Sequence, residues 1–175
     1  MTNRYEQRYL IDLAHRLATR FQARSVAALE LSNWTEEQDL GFSWDPDLDH
    51  FKRKGVPVAI WEDLRVRIAH QVARGPRVRP DALARNISAL ASHMGLSQDG
   101  QQIFALAIRA ARSGPVKSLC GALTDEARLP VEDAVVHLTG LSPARVRKAL
   151  AHSGRLIVSG LLQYEPLPVI GLGLL

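Results

Sequence analysis

The densest grouping of side chains able to do chemistry is Arg145, Lys148, His152 and Arg155, carried by the run GLSPARVRKALAHSGRLIV. On a helix, Arg145, Lys148 and His152 recur at intervals of three and four and so share one face. Arg155 lies just beyond the helix, and Arg147 falls on the edge of that face. Guanidinium and ammonium groups in such an array can contact phosphates or meet an acidic protein surface. Reading bases asks for Asn, Gln or Ser near the helix start as well, and only Ser142 and Arg145 stand there. A solvated basic helix in a protein-binding domain is therefore favoured over a sequence-specific DNA reader.

Other candidate chemistries fail on spacing. Asp45, Asp47 and Asp49 in DPDLDH suggest a calcium loop, but His50 stands where the turn needs glycine and Val56 where the loop needs glutamate. His70, His93, His137 and His152 fall in different elements, with no HExxH pairing to hold zinc. Cys120, between Leu119 and Gly121, reads as a buried small hydrophobe with no base beside it. No GxxxxGK run is present to cradle a nucleotide phosphate. No catalytic, cofactor-binding or metal-ligating residue is assigned, and the chain is expected not to be an enzyme. Trp34, Trp44 and Trp61 are the candidates for protein binding, since tryptophan concentrates both in cores and at interface anchors.

The bulk numbers agree with an ordinary folded chain. With 46% hydrophobic and 23% charged residues over 175 positions, there is enough apolar surface for one good core or two small ones. A net charge of +4 does not demand a nucleic-acid partner. Its distribution is more telling: Glu36, Glu37, Asp39, Asp45, Asp47 and Asp49 form an acidic stretch, whereas Arg145, Arg147, Lys148 and Arg155 have no acid among them. One cysteine excludes an internal disulfide and suits a reducing cytoplasm. The charged start MTNRYEQRYLIDLAHR is no secretory signal. No run reaches the length of about 18–20 apolar residues that a membrane helix needs.

The elements that must position these residues are mostly helical. Tyr9, Leu10, Leu13, Leu17, Phe21, Val26 and Leu29 repeat at helical spacing from residue 5 to about residue 30, with a break expected near Ala23 to Ser25. Residues 31–57 carry Trp34, Trp44, Gly41, Pro46, Gly55 and Pro57 and read as a loop anchored by tryptophan. A helix follows over Val58 to Val72, and ARGPRVRP, with Arg74, Arg77 and Arg79, marks an internal boundary. Pro80 and Asp81 then open a helix that stops at Gly95, and Ser97 caps the next. After Pro115 come a short helix to Leu123, a helix from Pro130 to Gly140, and one capped by Ser142 that ends at Gly154. The β-branched and aromatic content of RLIVSGLLQYE predicts one or two short strands around Gly160.

The passage ALARNISALASHMGLSQDGQQIFALAIRAA, followed by GLSPARVRKALAHSGRLIVSGLLQYE, resembles the helical region preceding the ATPase core in a group of bacterial AAA+ ATPases. The similar positions are Leu90, Gly95, Leu96, Ser97, Ile103, Leu106, Gly140, Leu141, Val146, Leu150, Leu156, Ser159, Gly160, Leu161 and Leu162, within roughly half of the chain. Most are packing leucines and glycine stops, and the Walker motifs of that family are absent here. The resemblance implies that ATP hydrolysis, and oligomerisation through an ATPase core, belong to a downstream part.

The sequence thus predicts a mainly α fold: a helical N-terminal part followed by a winged-helix-like helix-turn-helix subdomain with a short β-wing. Residues 1–78 form the first part with its acidic, tryptophan-containing loop, residues 79–165 the second, and 166–175 an apolar tail or the start of a missing domain. The expected function is a non-catalytic, cytoplasmic N-terminal module of a bacterial AAA+ ATPase, acting on a protein partner, a substrate or the downstream ATPase domain, or in assembly. The alternative is a DNA-binding winged helix. No cofactor and no membrane partner is expected.

Overall fold

In a computed structural model, residues 4–40, 55–76, 78–151 and 154–162 are described. The chain forms two compact units. The first comprises residues up to Arg79 together with Ser118–Arg128, and the second Pro80–Lys117 together with the chain from Leu129 onward. The first unit is discontinuous, a feature no composition shift near residue 118 announces.

In the first unit α1 spans Arg4–Ala18, α2 Val26–Glu37 and α3 Val58–Arg74. Ser25 separates α1 from α2 by capping the latter, its hydroxyl accepting from the Ala28 N–H at 3.1 Å. Residues 31–37, expected as loop, continue α2 because Leu31, Trp34 and Thr35 supply its buried face. α1 packs against α2 and α3, burying Leu13, Leu17 and Ile68 completely. The Gln71 side-chain amide donates to the Leu40 carbonyl at 2.9 Å, tying the end of the α2 region to α3. A π-helical turn, Ala122–Glu126, packs on α2.

The second unit is built around α5, Gln98–Arg112. α4 (Ala82–His93), α7 (Val131–Thr139), α8 (Pro143–Leu150) and α9 (Arg155–Val158) all pack against it. α6, Gly114–Gly121, carries the chain from this unit back to the first. Ile103 and Phe104 of α5 meet Ile87, Val135, Val146, Leu150 and Leu156 in one apolar core. Arg109 is a buried cation, 3% exposed, with Asp81 3.8 Å away. Asp81 also caps α4 through the Ala84 N–H at 2.7 Å, so one carboxylate fixes the start of α4 near the end of α5.

The winged-helix-like helix-turn-helix subdomain is not formed: among the described residues there is no β-strand, hence no wing. The run expected as strands folds as α9 and a reversal at Gly160 (φ +69°), while Gln163, Tyr164 and Glu165 lie outside the described residues. The cause is packing. Leu156 and Leu162 both enter the core, and the Leu162 N–H reaches the Leu156 carbonyl at 3.1 Å, which only a tight helical reversal allows. Two short strands with nothing to pair against would have been marginal. What remains of the expected motif is a helical corner, α7–α8, turned by Gly140 at φ +80° and capped by Ser142.

Candidate functional site

A groove in the second unit gathers three of the four basic residues singled out in the sequence. Its walls are the start of α5 (Leu96, Ser97, Asp99, Gly100), the outer face of α8 (Arg145, Lys148, Ala149) and the start of α9 (Gly154, Arg155, Leu156). It encloses about 340 Å³. Periodicity explains the α8 wall: Val146 and Leu150 turn to the core, which leaves Arg145 and Lys148 exposed on the opposite side.

Caps hold the other walls. Ser97 accepts from the Gly100 N–H at 3.2 Å and starts α5. The Ser142 hydroxyl accepts from the Arg145 N–H at 3.4 Å, a long contact at the start of α8. Gly95, at φ +61°, ends the α4 region and offers its carbonyl to Arg155 Nη1 at 3.2 Å.

At the rim, Arg145 grips Asp99 with both arms of its guanidinium. Nε donates to Oδ2 at 2.8 Å, and Nη2 donates to Oδ1. These bonds hold the Asp99 carboxyl below its ordinary pKa, and Asp99 in turn raises that of Arg145. Both groups are therefore fixed charges at neutral pH rather than proton donors or acceptors. Among the described residues the groove offers three cations against one carboxylate over an apolar floor of Leu96, Ala149 and Leu156.

This arrangement alters the meaning of the basic face. A DNA-reading helix needs its cations free for phosphates, yet Arg145 is engaged by Asp99 and Arg155 by Gly95. Among the described residues no aromatic ring lines the groove on which a base could stack. His152 lies outside the described residues.

No family model matches the chain, and neither a curated protein nor a solved structure does. The likeness to the helical region ahead of an AAA+ core therefore rests on the quoted residues alone.

The tryptophans take another place. Trp34 and Trp61 are each 1% exposed and serve the core, while Trp44 lies outside the described residues, as do Asp45, Asp47 and Asp49. Cys120 is half-buried, and burial pushes its thiol up to about 11. Among the described residues no group of three His, Cys, Asp or Glu side chains could hold a metal ion, and no helix is long and apolar enough to cross a membrane.

Sequence reasoning missed a second groove, in the first unit, of about 260 Å³. Glu30 and Glu37 of α2 face Asp125 and Glu126 of the π-helical turn across it. Partial burial raises the Glu30 pKa, Glu126 and Glu37 raise it further by repulsion, and a hydrogen bond with Asn33 opposes them. The spacing of Glu30, Asn33 and Glu37 shows one polar face of α2 in the sequence, but nothing local brings a distant turn to it.

Proposed function

We propose that this chain is a non-catalytic recognition module that acts through protein contacts, and that the groove between the starts of α5 and α9 and the face of α8 makes them. The observation that carries this reading is the groove itself, whose apolar floor is rimmed by charges of both signs. Peptide segments, which present apolar side chains beside charged ones, match such a lining. The apolar floor beside the charges favours this reading over nucleic-acid binding, whose interfaces are more polar and more strongly positive. Its setting is the one implied by the resemblance to the region ahead of an AAA+ core: a cytoplasmic module, delivering a substrate or partner to an ATPase, or assisting assembly.

Selection of random displayed peptides on the folded chain tests it. Binders should be enriched, should compete with one another, and should be lost in Lys148→Glu but retained in Arg147→Glu, which makes the same charge change on α8 away from the groove lining. No enrichment, or tight salt-sensitive binding of duplex DNA in place of peptides, would overturn the reading.

A further inference from the structure

Gly100 has no conformational reason to be glycine. It lies in the first turn of α5 with no left-handed φ, and a helix there would be firmer with alanine. A Cβ at this position would sit 3.4 Å from Ser97 Oγ, 3.6 Å from Leu96 Cβ and 3.9 Å from Leu156 Cδ1, ordinary contact distances. Those three residues are themselves groove lining. The missing side chain thus leaves space in the floor where a methyl group would fit without strain.

Above that floor the charges do not balance. Among the described residues, Arg145, Lys148 and Arg155 face a single carboxylate, Asp99. Asp99 has its two oxygens on the Arg145 guanidinium, the geometry that a carboxylate from outside would adopt there. The Arg145 side chain is 54% exposed and that of Asp99 23%, so an incoming carboxylate can reach Arg145 only in competition with Asp99.

Resting on the protein-contact reading above, we propose that the groove takes an acidic peptide segment. One apolar side chain would be seated on the floor over Gly100, and a neighbouring Asp or Glu carboxylate held by the Arg145, Lys148 and Arg155 cluster. Asp99 is then a built-in competitor for that cluster. The volume of about 340 Å³ is near the small end of ligand pockets, which suits one anchoring side chain and its neighbours rather than a folded domain. Among the described lining residues a nucleic acid would find no aromatic stacking surface.

Fluorescence anisotropy on the full chain tests this with four labelled probes at low salt: a short peptide of Asp and Glu around a central Leu, the same peptide with Ala for Leu, a Ser-flanked Leu peptide, and duplex DNA. The acidic Leu peptide should bind best. Lys148→Glu should weaken it about tenfold, and Asp99→Asn should tighten it about threefold by removing the competitor. Gly100→Ala should weaken it about tenfold while leaving the melting temperature unchanged or higher, because the added methyl narrows the floor without straining the helix. Equal binding of the acidic and Ser-flanked Leu peptides would sink this inference and leave the protein-contact reading standing. So would tight binding that Gly100→Ala leaves intact. Binding of the duplex with no peptide bound would overturn both.

Discussion

Arg145 and Asp99 lie 46 positions apart, yet they meet in a two-point ion pair that joins the face of α8 to the first turn of α5. This contact converts a basic helix face, which in the sequence invites phosphate, into one rim of a mixed-charge groove. Because Asp99 has its pKa lowered from an ordinary 3.8, its stabilising contribution is present above that value and is lost only as the pH falls through the lower, folded-state value. The Arg145 Nε–H chemical shift in NMR spectra should therefore hold its paired position at pH 4 and somewhat above, and move as Asp99 is protonated in stronger acid. In Asp99→Asn that shift should not move in acid, and the same acid titration persisting there would contradict the pairing.

Glu30 responds to pH in the opposite sense. Its pKa is raised above 4.5 in the folded state, so the folded protein gains from its protonation below that value and loses the gain as the pH rises through the folded pKa. At neutral pH the partly buried, repelled carboxylate is a cost. Glu30→Gln, which keeps an oxygen for Asn33, should raise the melting temperature at pH 7, and the gain should shrink as the pH approaches 4. An unchanged or lowered melting temperature at pH 7 would show that the acidic groove is not under repulsion.

Gly95 combines a left-handed backbone with a seat for Arg155. A Cβ there would come within 2.2 Å of Arg155 Nη1, so the side chain must leave its bond to the Gly95 carbonyl. Gly95→Ala should cost about 1–2 kcal/mol in urea unfolding, mainly from the backbone conformation. Gly95→Asn should cost less, since Asn tolerates that conformation. A neutral Gly95→Ala would mean that the turn adopts another shape.

The replacement of the expected wing by α9 can be checked by packing. Leu156 is 1% exposed and Val158 is 70% exposed. Leu156→Ala should destabilise the protein by about 2–5 kcal/mol, while Val158→Thr should stay within about 0.5 kcal/mol. A strand with alternating faces would also place residues 156 and 158 on one side, so comparable losses at both positions would favour the wing.

Much of the helical framework was legible because its signals are local. Ser97, Ser142 and Gly140 mark helix ends by their own chemistry, and Val146 and Leu150 mark an inward face by their spacing. Residues 155–162 read as strand because Ile157 and Val158 have that composition, while the burial of Leu156 and Leu162 decides the fold and is a tertiary fact. Trp34 reads as loop because Gly41 and Pro46 follow closely, although α2 holds it in the core. Arg145, Lys148 and Arg155 were visible as a cluster, but Asp99, Leu96 and Gly100 were not, since only the folding of α5 against α8 and α9 brings them together.

The central claim is that the groove receives protein segments. Chemical-shift mapping on the isotope-labelled chain tests it most directly, with the acidic Leu peptide and a duplex DNA added in turn. The account expects the peptide to move the signals of Gly100, Lys148, Ala149 and Leu156 together and the duplex to leave them in place. Peptide-induced shifts confined to other surfaces, or duplex-induced shifts centred on Arg145, Arg147 and Lys148, would contradict it.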